Sequence, residues 1–189
     1  MMNNTNLYRR ELKEYRALNH VAECGGVVLF GSTFAKEMPV CELKQAFGID
    51  RNIYNRSFYD LSVFDAAAVA DECVLPLEPS KVLVNLGETD LIRGLHSVTE
   101  ITDACEALVK KLRSTLHCEV VVVSVCGSDD VRPAELNRRL EAMAKKCGCA
   151  YADIASSAAA EEPELDAFAG LRCFMLDRIG FCDAIRAGI

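Results

Sequence analysis

Apolar residues along the chain gather in short runs, separated by longer segments in which they recur every three or four positions. Nearly continuous apolar runs occur at Val27–Phe30, Lys81–Leu86 and Glu119–Val125. Such runs are typical of strands that are buried on both faces of a sheet. Two weaker strands are predicted at Asn52–Asn55 and Ala150–Ile154. The pattern therefore predicts five short strands.

The segments between these strands carry the spacing of amphipathic helices. Helices are predicted at Asn3–Leu18, Lys36–Phe47, Val63–Ala70, Ala134–Cys147 and after Ser97. The second of them has Pro39 in its first turn and Gly48 just past its end. The helix after Ser97 is the best defined, because Ser97 and Glu100 are spaced as a capping box. Its apolar stripe is Ile101, Cys105, Leu108, Leu112 and Leu116.

Strands that alternate with helices predict a parallel sheet with helices packed on both faces. No internal repeat or long linker interrupts the pattern, so we expect one three-layer α/β/α domain over residues 1–189, with residues 1–20 as a leading amphipathic helix. Ligands of such sheets bind at the carboxyl ends of the strands. The segments expected there are Gly31–Thr33, Arg56–Ser57, Gly87–Asp90 and Cys126–Asp130.

Composition and charge narrow the classes of function. The chain has a formal net charge of -7 and a pI near 5.1, so it lacks the basic character of a nucleic-acid-binding protein and we expect no such partner. Met1–His20 lacks the apolar core of a secretory signal, and no apolar run reaches the roughly 18 residues of a membrane span. These features predict a cytoplasmic protein. A nucleotide cofactor is not expected, because only Gly31 follows the first strand where several glycines would be needed.

Ten cysteines are present, and most lie inside apolar segments. Examples are Cys105, Cys126, Cys173 and Cys182. Buried, reduced thiols are therefore predicted. The close pair Cys147-Gly-Cys149 lacks a second pair or a nearby histidine at zinc-finger spacing, so no metal site is expected.

Two hydroxyl residues, Ser32 and Thr33, occupy the predicted turn between the first strand and the next helix. A nucleophile would be exposed at such a turn, and the first amides of the helix could stabilise an oxyanion. Capping of the helix is an equally common use of serine or threonine at this place. Position alone leaves both interpretations open.

Three motifs in this order resemble the sequence blocks of the SGNH/GDSL hydrolases. Val28–Thr33 is similar to a strand that runs into Gly-Asp-Ser, Asn55–Ser57 to Asn-Arg-Gly, and Leu77–Asp90 to a strand that ends in Gly-x-Asn-Asp. The late segment from Leu136 to Asp153 also resembles these proteins, so the similarity covers most of residues 27–181. It implies a flavodoxin-like fold with five parallel strands and activity on small acyl or sugar esters, without a cofactor or metal ion.

In that family a serine attacks the ester carbonyl, a histidine accepts its proton, and serine, glycine and asparagine form the oxyanion hole. Here Ser32 stands at the Asp of the first block and Thr33 at the nucleophile. Ser57 stands at the oxyanion glycine, where its amide could still donate, and Thr89 replaces the oxyanion asparagine. The resemblance therefore implies that each of these positions is substituted.

The last block, Asp-x-x-His, is changed most. If Gly180-Phe181 is matched to the Gly-Tyr that closes it, Met175 falls on the histidine and Arg172 on the aspartate. A one-gap alternative places Asp177 on the aspartate and leaves no histidine. Loss of the base in a serine triad costs on the order of 10⁴ to 10⁶ in rate. His96, after the third strand, is the one histidine expected on the same edge of the sheet, so it is the candidate replacement base.

Three hypotheses follow from these substitutions. The first is a protein that keeps the fold and binds a small acyl or sugar ester without hydrolysing it. The second is an active esterase that uses Ser32 or Thr33 with His96. The third is a protein-interaction role, including a homodimer formed through an exposed stripe on the leading helix at Leu7, Tyr8, Leu12 and Tyr15.

Overall fold

The computed structural model describes residues 8–126 and 131–176, and its centre is a five-stranded sheet. The strands are β1 Val27–Gly31, β2 Ile53–Asn55, β3 Lys81–Asn85, β4 Glu119–Val123 and β5 Ala150–Ala152. All neighbouring strands are parallel, in the order β2-β1-β3-β4-β5. This is the flavodoxin-like order, with its switch point between β1 and β3. The predicted fold class is confirmed.

Helices cover both faces of the sheet. They are α1 Arg9–Asn19, α2 Thr33–Glu37, α3 Val40–Ala46, α4 Val63–Cys73, α5 Glu88–Arg93, α6 Val98–Leu116, α7 Val131–Lys146 and α8 Pro163–Met175. Short 3-10 helices lie at Leu75–Leu77 and Ala155–Ala159. Alternate residues of β1 belong to different cores: Val28 and Phe30 pack in the cluster that contains α4 and α6, and Val27 and Leu29 pack in the cluster that contains α3 and α8. The sheet therefore separates two apolar cores, as a three-layer fold requires.

The predicted capping box is present at the start of α6. The Ser97 hydroxyl accepts a hydrogen bond from the Glu100 amide, and the Glu100 carboxylate accepts one from the Ser97 amide at 2.8 Å. The predicted stripe of α6 faces the core, with only Leu116 partly exposed. Reciprocal capping satisfies two amides that a helix start leaves without partners.

The prediction of one continuous helix over Lys36–Phe47 is wrong. The chain instead forms α2 and α3, with Met38 extended at φ -62° and ψ 118° and Pro39 at the start of α3. A residue before proline is driven out of the helical region by the proline ring, and proline offers no amide to the preceding turn. Pro39 therefore ends one helix and begins the next.

The stripe on the leading helix is not exposed, which corrects the basis of the homodimer hypothesis. Tyr8, Leu12 and Tyr15 are buried against the chain's own core, and the rings of Tyr8 and Tyr15 both make edge contacts with Phe58. Leu7 lies outside the described residues. Burial of this face makes α1 part of the domain core.

The prediction of buried, reduced cysteines is correct only in part. Cys73, Cys105, Cys118 and Cys126 are free and buried, whereas Cys24 and Cys41 are free and exposed. Cys147 and Cys149 are free and half-buried, and Cys173 is disulfide-bonded, contrary to the expectation of a thiol. Cys182 lies outside the described residues.

Within residues 8–126 and 131–176, none of the helices combines the length and apolar character needed to cross a bilayer. Over the same ranges, His, Cys, Asp and Glu side chains do not gather into a group of three or more that could hold a metal ion.

Candidate functional site

The carboxyl ends of β1, β2 and β3 lie side by side and bring three of the four predicted site segments together. The fourth segment follows β4, and apart from Cys126 it lies outside the described residues. Gly31 pairs with Asn85 across β1 and β3, and Leu29 pairs with Asn55 across β1 and β2. A Cβ atom on Gly31 would lie 2.6 Å from the Asn85 carbonyl oxygen and 2.7 Å from Ala35 Cβ. Only glycine therefore allows β3 and α2 to approach the end of β1 this closely.

Ser32 and Thr89 meet at this edge. Their hydroxyl oxygens are 2.6 Å apart, which is a hydrogen bond in which either group can donate. Both residues are buried, with exposed fractions of 1% and 5%. The Ser32 amide also donates to the Asn85 carbonyl at 3.1 Å. The expected proximity of the hydroxyl turn to Thr89 is therefore observed, and the two hydroxyls satisfy each other.

Thr33, which the motif resemblance aligns with the nucleophile, has a different partner. Its hydroxyl oxygen accepts a hydrogen bond from the Asp60 amide at 3.0 Å. Asp60 has a positive φ of 54°, and its carbonyl accepts further hydrogen bonds from Tyr8 and Arg93. Thr33 therefore helps to hold a strained turn that follows β2.

Ser57, which the motif resemblance aligns with the oxyanion glycine, has hydrogen bonds on both of its backbone groups. Its amide donates to the side-chain oxygen of Asn55 at 3.0 Å, and its carbonyl accepts from the Tyr15 hydroxyl at 2.5 Å. Burial raises the pKa of Tyr15, so this phenol is a neutral donor. The amide that could stabilise an oxyanion is already hydrogen-bonded to a neighbour.

Met175 packs in an apolar cluster, and His96 lies at the surface. Met175 ends α8 with 0% exposure, inside the apolar cluster that also contains Cys126 and Phe168. His96 is exposed, and its ring stacks on Phe64 with 4.1 Å between the centroids. No hydrogen bond joins His96 to either of the hydroxyls at the β1 turn in the part of the chain that the structure describes. The alternative aspartate, Asp177, lies outside the described residues.

A cavity of about 620 Å³ lies on the far side of Asp60, the residue whose amide donates to Thr33, and its lining does not include Ser32, Thr33 or Thr89. Its lining residues are Tyr8, Arg10, Glu11, Glu14, Lys36, Tyr59, Asp60 and Arg93. Thr33 and Lys36 lie one turn apart on α2, and Thr89 and Arg93 lie one turn apart on α5. The cavity therefore continues the faces of α2 and α5 that carry the candidate hydroxyls, and α1 forms its outer wall.

Two acidic residues beside these hydroxyls have roles that the sequence did not assign. Burial and the nearby charge of Glu37 raise the pKa of Glu88, which precedes Thr89 on α5. Asp90 is buried, and its carboxylate accepts from the Ser62 hydroxyl at 2.5 Å and the Val63 amide at 3.0 Å. Asp90 thus fixes the start of α4. Asp90 and Glu88 both lie in the predicted Gly87–Asp90 segment. The residues that surround them are distant in the sequence, so the sequence did not reveal these roles.

The chain has the three-layer fold with five parallel strands that is also seen in solved structures of GDSL-like lipases and acylhydrolases. Three similar structures show the extent of the likeness. A protein of Streptococcus pneumoniae described as a platelet activating factor has a TM-score of 0.77 at 13% identity, over 89% of this chain and 92% of that one. A GDSL-like lipase from Bacteroides thetaiotaomicron has a TM-score of 0.64 at 16% identity, over 76% and 77% of the two chains.

A third similar structure is a catalytic mutant of an acetylxylan esterase from Geobacillus stearothermophilus. Its TM-score is 0.63 at 15% identity, over 80% of this chain and 94% of that one. No protein-family profile and no curated protein sequence matches the chain. The resemblance drawn from the motifs is thus confirmed at the level of the fold.

Proposed function

We propose that this chain is a non-hydrolytic member of the SGNH/GDSL superfamily that binds a small ligand at the carboxyl edge of its sheet. One observation carries the proposal: the groups at the positions of the nucleophile and the oxyanion hole are hydrogen-bonded within the fold. Ser32 bonds to Thr89, the Thr33 hydroxyl accepts from a backbone amide, and the Ser57 amide donates to a side chain. A hydroxyl without an adjacent base is a poor nucleophile at neutral pH.

The size of the expected loss supports this choice. Removing the base of a serine triad lowers the rate on the order of 10⁴ to 10⁶, and removing one oxyanion donor lowers it on the order of 10² to 10³. Met175 occupies the aligned base position within an apolar core, and the Thr89 hydroxyl is bonded to Ser32. These effects are not additive, and loss of the base alone removes most of the rate enhancement of such an enzyme.

The ligand that we propose is a small molecule related to the acyl or sugar esters of the family, held in the cavity next to Asp60. This cavity lies where ligands of open parallel sheets bind, outside the strand ends and next to the switch point between β1 and β3. Its volume of about 620 Å³ is in the range of small-molecule sites.

Ester hydrolysis by the purified protein tests the proposal. We expect p-nitrophenyl acetate and butyrate to be hydrolysed at the rate of buffer alone. The matched variants are Ser32→Ala and Thr33→Val, with circular dichroism to confirm folding. Turnover by the wild-type protein that either variant abolishes would contradict the proposal.

An active esterase with a rearranged base is the second candidate, and Glu88 is the observation that favours it. A carboxylate whose pKa is raised by burial is a better proton acceptor than an exposed one, and Glu88 is adjacent to Thr89. If the wild-type protein hydrolyses esters, Glu88→Gln and His96→Ala identify the base. Loss of activity only in His96→Ala would support the sequence-based candidate, whereas loss only in Glu88→Gln would support the carboxylate.

A further inference from the structure

We propose that the cavity next to Asp60 binds the anionic group of its ligand, a carboxylate or a phosphate, between Lys36 and Arg93. This inference rests on the proposed function for the existence of a bound ligand, and it adds the chemical class of that ligand. The two cations reach the cavity from different strand ends, since Lys36 follows β1 on α2 and Arg93 follows β3 on α5.

Lys36 is a half-buried cation, and the carboxylate that pairs with it is too distant for a short hydrogen bond. Its ammonium donates to the Tyr15 hydroxyl at 2.7 Å and lies 4.8 Å from the centroid of the Tyr15 ring. Its ion pair within the described residues is with Glu11, at an N–O distance of 3.9 Å, and its side chain is only 22% exposed. A short charge-assisted hydrogen bond would place the oxygen about 1 Å closer. The ammonium therefore retains the capacity to bind an anion.

A second cation, Arg56, lies against the same Tyr15 ring as Lys36. Within the described residues its hydrogen bonds go to neutral oxygens and not to a carboxylate. The buried Arg56 guanidinium is 5.0 Å from the centroid of the same Tyr15 ring. It donates to neutral oxygens, at 2.9 Å to the Asn19 side chain and at 3.0 Å to the Asn55 carbonyl. Lys36 and Arg56 therefore both lie against the Tyr15 ring, and of these three residues only Lys36 lines the cavity.

Arg93 and Tyr59 complete the proposed site. One nitrogen of Arg93 donates to the Asp60 carbonyl at 3.0 Å, and the planar guanidinium carries five donors in all, so others remain for a ligand. The Tyr59 ring is half-exposed and lies 5.9 Å from the Lys36 nitrogen, which makes it a surface for the uncharged part of the ligand. Of the other charged residues that line the cavity, Arg10 and Glu14 pair with each other and Asp60 contributes a carboxylate, so the lining holds three cations and three carboxylates in all.

Titration calorimetry at constant ionic strength tests this site with four probes: inorganic phosphate, glycerol 3-phosphate, lactate and neutral glycerol. The variants are Lys36→Gln and Arg93→Gln. The matched control is Lys13→Gln, which removes the same charge from an exposed position of α1 that does not line the cavity. Because Lys36→Gln also changes the contact with Tyr15, Lys36→Arg is included as a variant that keeps the positive charge. Retained binding in Lys36→Arg would show that the charge is what the anion requires.

We expect the wild-type protein to bind at least one of the three anions and not glycerol. Binding should weaken about tenfold or more in Lys36→Gln and Arg93→Gln, and stay unchanged in Lys13→Gln. Tighter binding of glycerol 3-phosphate than of phosphate would indicate an ester ligand, and equal binding would indicate the free anion. Binding of none of the anions, or equal weakening in all three glutamine variants, would overturn the inference.

Ester hydrolysis measured on the same preparations separates the two proposals. Hydrolysis together with anion binding would overturn the proposed loss of activity and leave the anion site in place. Absence of both hydrolysis and anion binding would overturn the anion site alone.

Discussion

The hydrogen bond between Ser32 and Thr89 gives the sharpest test of whether these hydroxyls support the fold or serve catalysis. The perturbation is a double-mutant cycle of Ser32→Ala, Thr89→Val and the double variant. Each single substitution leaves the remaining hydroxyl buried without its partner, because the two oxygens are 2.6 Å apart and both residues are almost fully buried. The double variant removes both polar groups and leaves no such orphan.

The expected magnitude follows from that burial. A buried hydroxyl without a partner costs about 1–3 kcal/mol, so each single variant should lose this much free energy of unfolding. The double variant should lose less than the sum of the single variants, with a coupling of about 1 kcal/mol or more. For a domain of this length, 1 kcal/mol corresponds to roughly 2–4 °C in Tm.

Urea unfolding followed by circular dichroism measures all three variants. Ser114→Ala is the matched control, because Ser114 lies exposed on α6 and should change the free energy of unfolding by less than about 0.5 kcal/mol. If Ser32→Ala leaves stability unchanged or raises it, the reasoning is refuted. Unchanged or increased stability is the behaviour of a residue retained for function at the expense of the fold.

Four further predictions address the site and the core. Met175→His should lower the free energy of unfolding by about 2 kcal/mol, because it buries an imidazole in an apolar cluster, and urea unfolding measures this change. The same variant should show no esterase activity in an ester assay. Asp90→Ala should cost about 3 kcal/mol in urea unfolding, and Ser62→Ala less, since the Asp90 carboxylate then keeps its bond to the α4 amide. Burial raises the pKa of Cys73 to about 12, so iodoacetamide at pH 8 should label exposed Cys41 and spare Cys73 until urea is added, as read by mass spectrometry. The same shift should reduce stability as the pH rises from 9.0 towards 12, because only the unfolded thiol ionises readily there.

Local patterns in the sequence were enough to predict the sheet and the best-defined helix. Val27–Phe30 reads as a doubly buried strand because neighbouring residues face opposite cores, and the capping box of Ser97 and Glu100 involves residues only three positions apart. The rule that ligands bind at carboxyl strand ends then located the segments that carry Ser32 and Thr89.

Local patterns also misplaced or missed several elements. Pro39 fits the first turn of a helix and the break between two helices equally well, and the structure shows the break. Helices α5 and α8 were not predicted. α5 has only six residues, so its stability comes from packing more than from its own spacing.

The sequence by itself determined which side chains stand at the end of each strand. Only the tertiary structure decided what those side chains do. The partner of Ser32 lies 57 residues away, and the Tyr15 hydroxyl that reaches Ser57 lies 42 residues away. A hydroxyl is a nucleophile or a structural hydrogen-bond donor according to its neighbour, and folding sets that neighbour through the packing of β1 against β3 and of α1 against the core.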